Sequence, residues 1–203
     1  MSTQQSPDRS LVGSSLLSRG LRLEYATLGW NVVGVLVVGV AAVTARSVAL
    51  AGFGLDSLIE IFASVVVVWE LTGAPAEREE RALRLIGGAF FTLAIYILAQ
   101  AAYTIVAGVH PRTSPLGIGW LVVTVAAMLT LAWGKRVTGR QLGNPVLTKE
   151  SYVTLIDALL AVAVLVGLVI HAMLGWWWAD PLAGMVIVYY GLREGWAAWR
   201  GEA

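Results

Sequence analysis

The stretch SVALAGFGLDSLIEIFASVVVVWEL, residues 47–71, is a nearly unbroken apolar run with two carboxylates, Asp56 and Glu60, in its interior. A helix that crosses a bilayer needs about 20 mostly apolar residues, and this run supplies them. Acids inside such a segment are costly and by default mark an ion or substrate pathway. A second run, VLTKESYVTLIDALLAVAVLVGLVIHA at 146–172, carries Asp157 in its interior.

The rest of the chain reads the same way. Of its residues, 58% are hydrophobic and 13% charged, where a soluble domain carries about a quarter charged residues. An all-α membrane protein is predicted. Six runs are long enough to span: 25–45, 47–71, 82–109, 116–133, 145–174 and 181–199. The connections are short: Arg46-Ser47, Gly73-Ala74-Pro75 with a charged run to Arg84, His110-Pro111-Arg112, the stretch 135–144, and the Trp-rich 175–180.

Lys and Arg divide unevenly across these connections. Arg9, Arg19, Arg22, Arg78, Arg81, Arg84, Lys135, Arg136, Arg140, Lys149, Arg193 and Arg200 fall on one side, and only Arg46 and Arg112 on the other. The positive-inside rule then puts both termini in the cytoplasm, and an even number of spans agrees. Residues 1–20 read as a mobile polar N-terminus and 21–200 as the transmembrane domain. No soluble C-terminal domain is expected after Trp199. The first apolar run is too long for a signal-peptide core.

Composition also excludes chemistry. There is no Cys, hence no disulfide, thiolate metal site or cysteine catalysis. A net charge of +1 gives no nucleic-acid footprint. No Ser-His pair, phosphate-binding Gly loop or zinc-protease His motif is present, so no catalytic residue is expected. Gly52-Phe-Gly54-Leu-Asp56 is reminiscent of an intramembrane aspartyl protease motif, but it has one residue too many and lacks a Tyr-Asp partner. Trp176, Trp177 and Trp178 fit one interfacial aromatic belt, and Trp196 and Trp199 the other. Asp180-Pro181 reads as an N-cap followed by Pro at the first helical position.

Depth gathers the acids. Asp56 lies about 13 Å into its span and Asp157 about 15 Å into an antiparallel one, both near mid-membrane. Asp56 and Glu60, at i and i+4, share a helix face. Two such anions repel and need a proton or a cation to neutralise them. No Lys or Arg is expected at that depth. Asn31, Glu150 and Thr154 are secondary candidates. Asn31 reads equally as a helix–helix hydrogen-bonder, and Glu150 as a solvated acid stabilised at a helix start. The alternative for the central acids is protonated carboxyls hydrogen-bonded between helices.

These residues carry a family resemblance. Gly54-Leu-Asp56-Ser-Leu-Ile-Glu60-Ile-Phe-Ala-Ser64 resembles the second helix of the cation diffusion facilitator superfamily, where an acid-xxx-acid motif opens a metal site. Leu155-Ile-Asp157 with Gly167-Leu168 resembles its fifth helix, and Trp178-Ala-Asp180-Pro181-Leu-Ala-Gly the start of its sixth. The wording around Asp56 is most similar to the small zinc-binding membrane proteins without a cytoplasmic domain. The resemblance implies six helices, a homodimer in a bacterial cytoplasmic (inner) membrane, and divalent metal efflux coupled to proton uptake. It implies a site at Asp56, Glu60, Val153 and Asp157. The zinc members usually have His at the third of these positions, and Val153 cannot ligate.

A divalent metal cation is thus the expected substrate, with protons as counter-ion. The resemblance puts zinc first. An all-oxygen set leans chemically towards manganese or iron, with cobalt a further candidate. The rival reading is a membrane metal-binding or regulatory protein without transport, motivated by the missing ligand. For the dimer contact, the third span or the Gly191-xxx-Gly195 face are the expected surfaces.

Overall fold

The computed structural model describes residues 7–71 and 76–200; 1–6 and the Gly73-Ala74-Pro75 connection lie outside them. Six helices follow one another: α1 Pro7–Ala45, α2 Val48–Leu71, α3 Ala76–Val106, α4 Pro115–Leu142, α5 Pro145–Leu174 and α6 Ala179–Arg200. No strand occurs among the described residues. Among the described residues, four helical stretches are long and apolar enough to cross a membrane by length and composition: Ser15–Ala45, Gly87–Val106, Pro115–Leu142 and Glu150–Leu174.

The helix ends have local causes. Ser114 caps α4 by accepting from the Gly117 amide, and Asn144 caps α5 by accepting from the Leu147 amide, each with Pro at the next position. The α4–α5 connection is only Gly143-Asn144. Gly143 takes a left-handed φ of 63° that a side chain would resist, and this reverses the chain.

Two boundaries differ from the sequence reading. α1 starts at Pro7, inside the segment 1–20 expected to be mobile. Gly20 is buried, and a Cβ there would stand 3.0 Å from the Leu147 side chain, so this part of α1 packs on the α5 start. α4 continues nine residues past Trp133, because nothing breaks it before Gly143. Lys135 therefore belongs to a helix, where a connecting loop was expected.

α2 is central, packing against α1, α3, α5 and α6; α4 joins through α1 and α5. Gly52 allows this: a Cβ there would meet Ile97 of α3 at 2.7 Å and Ile187 of α6 at 3.1 Å. The apolar core lies towards the Arg46 end, from Val38, Leu50 and Phe53 across to Leu160, Val164, Leu168 and Ile187. The other half of the bundle buries polar side chains instead: Glu24, Thr27 and Asn31 on α1, Glu60 and Ser64 on α2, Lys135 and Thr138 on α4, and Glu150, Thr154 and Asp157 on α5.

The Gly191–Gly195 face, expected as a dimer contact, is occupied by α3 of the same chain. A Cβ at Gly195 would stand 3.1 Å from the Gly87 carbonyl, close enough that only glycine lets α6 and α3 touch there.

Candidate metal centre

Asp56 and Glu60 stand one turn apart on α2, and α5 presents Asp157 from the facing side. All three are buried, at 4%, 4% and 2% exposure. They form one electrostatic group: Asp157 feels Glu60 and Asp56, and Asp56 feels Glu60. Asn31 of α1 donates from Nδ2 to Glu60 Oε2 at 2.9 Å, fixing that carboxylate. Glu60 Oε1 and both Asp157 oxygens have no hydrogen-bond partner. Orphaned buried oxygens of this kind are costly and call for a cation or a proton. Among the described residues, however, no three His, Asp or Glu side chains are spaced to hold one metal ion in this arrangement.

Lys135, expected in the basic connection after the fourth span, is instead a buried residue of α4. Its ammonium is fully buried, 3.0 Å from Glu24 Oε2 and 3.2 Å from Glu150 Oε1. It also donates to Thr154 Oγ1 at 3.0 Å. Lys135 and Glu24 thus form a buried ion pair between α4 and α1. Lys135 acts electrostatically on both Glu60 and Asp157. Two of the secondary candidates, Glu150 and Thr154, are thus engaged by Lys135, and Asn31 by Glu60.

Sequence reasoning missed Glu24 and Lys135. Glu24, Thr27 and Asn31 recur at i, i+3 and i+7, which places them on one face of α1, and that spacing was available to reading. Lys135 gave no such signal, because Lys135-Arg136 beside an apolar run resembles an ordinary basic flank.

The features at the Arg46 end of the bundle are structural. Asp180 caps α2 as well as standing in the first turn of α6. It accepts from the Ser47 hydroxyl, the Val48 amide at 2.8 Å and the Ala49 amide at 3.4 Å. His171 lies near Asp180, away from the acids of α2. His110 stacks on Trp177 with ring centroids 4.8 Å apart. Gln100 lines a cavity of about 410 Å³ beside Arg46, Tyr103 and Thr104.

Comparison with known proteins adds the lineage. A family model described as the cation efflux transmembrane domain matches residues 25–200. The magnetosome protein MamB of Magnetospira sp. (strain QH-2) is 26% identical over 72% of this chain and 54% of its own length. An uncharacterized transporter of Synechocystis sp. is 28% identical over 89% of this chain and 59% of its own. Transmembrane protein 163 of Xenopus laevis is 23% identical over 78% and 61%. The chain therefore spans less than two thirds of the length of these relatives. With a match that runs from Tyr25 in α1 to Arg200 at the end of α6, this integral membrane protein belongs to the cation efflux family.

Proposed function

We propose that the chain moves a divalent metal cation across the membrane through Asp56, Glu60 and Asp157. The observation that carries the reading is the set of buried carboxylate oxygens without hydrogen-bond partners, on Glu60 and Asp157, facing one another across α2 and α5. A cation would draw these oxygens together from their present spacing, with water completing the shell that Val153 leaves short. Protons compete for the same oxygens, since a ligand must lose its proton to bind metal. Alternation between two faces of the bundle then exchanges metal against protons. In this reading α2 and α6 also span, both termini are cytoplasmic, and the protein works as a homodimer in a bacterial inner membrane. Zinc is the first substrate to test, followed by manganese, iron and cobalt.

The test is metal flux into liposomes carrying a pH gradient. Wild type is expected to move zinc only when the gradient is present, and Asp157→Asn to reduce that flux to the level of empty vesicles. Flux by Asp157→Asn equal to wild type would remove the site. A second reading, metal binding without transport, draws on Val153, which leaves the set one ligand short. It expects stoichiometric metal on purified protein with no gradient-driven flux.

A further inference from the structure

Lys135, Glu24 and Glu150 come from three helices, α4, α1 and α5, and all are at most 6% exposed. Each helix puts them on the same side of the central acids. Glu24 precedes Asn31, the Glu60 partner, by seven residues, and Glu150 precedes Asp157 by seven, about 10 Å along each axis. On α2, Ser64 lies one turn beyond Glu60 in the same direction, fully buried and with its hydroxyl unpartnered. On the opposite side of the acids stands the apolar core of Val38, Phe53, Leu160 and Val164. The described polar track thus leaves the acids in one direction only, and Lys135 stands across it.

Stability does not account for this triad. A buried ion pair gains little over well-packed apolar side chains of equal volume, and its best-attested use is as a register or a switch. Here, among the described residues, two carboxylates from different helices share one buried ammonium. A fixed ammonium that also acts on Glu60 and Asp157 mimics the charge of an arriving cation.

We infer that Lys135 is a tethered cation that plugs the polar track, and that a divalent cation reaches Asp56, Glu60 and Asp157 only after the ammonium leaves Glu24 and Glu150, whose freed carboxylates then receive the cation on its way. The inference rests on the proposed transport of a divalent cation, but its test reads access to the track and needs no flux.

The chain has no Cys, so Ser64→Cys is a single reporter in a nearly isosteric place. The measurement is the labelling rate of Ser64→Cys by a small cationic methanethiosulfonate reagent, on purified protein. With the triad intact, labelling is slow. Glu24→Gln, which leaves Lys135 its Glu150 partner, raises the rate about tenfold, the effect of shifting the closed state by about 1.4 kcal/mol. Lys135→Met raises it at least as much. The exchange Glu24→Lys with Lys135→Glu restores slow labelling. Equal rates in the intact and Glu24→Gln backgrounds overturn the plug, as does fast labelling in the intact one. If Lys135→Met does not fold, Glu24→Gln and the charge exchange still decide. Slow labelling restored by the exchange, in a chain that fails the liposome assay, would keep the plug and remove transport.

Discussion

Glu60 is held at one oxygen and free at the other, and that asymmetry assigns work to Asn31. The amide donates to Oε2, so Oε1 is left for a cation in a fixed direction. A hydrogen bond to a charged group is worth about 1.5–3 kcal/mol, so Asn31→Leu is expected to weaken divalent-cation binding by roughly tenfold to a hundredfold. Calorimetric titration of zinc into purified protein measures it; unchanged affinity would leave Asn31 with a packing role alone. Residues differ in how well they announce themselves. Asp56, Glu60 and Asp157 interrupt long apolar runs and were legible for that reason. Glu24 and Lys135 fell one residue before and two residues after expected spans, because a reading by bilayer thickness stops where hydrophobicity fades. The helices run on, and these charges lie buried beyond that point.

At the scale of the element, α2 owes its start to a residue more than 130 positions away. Ser47 accepts from the Leu50 amide in the ordinary way of an N-cap. Asp180 then takes the Ser47 hydroxyl and the two following amides, so the first turns of α2 and α6 share one carboxylate. Negative charge at a helix N-terminus is favourable in addition. Asp180→Ala is expected to cost about 1–2 kcal/mol and to loosen the α2 start. Hydrogen exchange reads it directly: the Val48 and Ala49 amides exchange faster, while those of the α5 start, capped by Asn144, do not change. Uniform exchange across both starts would refute the shared cap. The existence and order of six helices were legible in the sequence. The reading of Asp180 as the N-cap of the sixth helix is corrected: α6 already begins at Ala179, and the Asp180 carboxylate turns to the amides of the α2 start, a partner that local sequence does not name. The Gly191–Gly195 spacing taught the same lesson: small residues announce a close approach without naming the partner, which is α3.

The described residues divide into a largely apolar half at the Arg46 end, with Asp180 buried at the α2 start, and a polar half that buries Glu24, Asp56, Glu60, Glu150 and Asp157 with the Lys135 ammonium. Such an interior is stable only to the extent that its charges are matched, so occupancy by a cation should stabilise the entire bundle. A ligand that binds the folded state alone adds about 2.7 kcal/mol at a hundred times its dissociation constant. For a chain of this length that corresponds to a rise in melting temperature of about 5 to 10 °C. The expected result is a zinc-dependent shift of that order in detergent, reversed by a chelator and absent in a protein carrying Asp56→Asn and Asp157→Asn. The double variant should itself melt no lower than metal-free wild type, because the two neutral amides remove repulsion among Asp56, Glu60 and Asp157. A shift that survives the double substitution would move the cation elsewhere in the polar half, and Glu24 with Glu150 would be the first place to look.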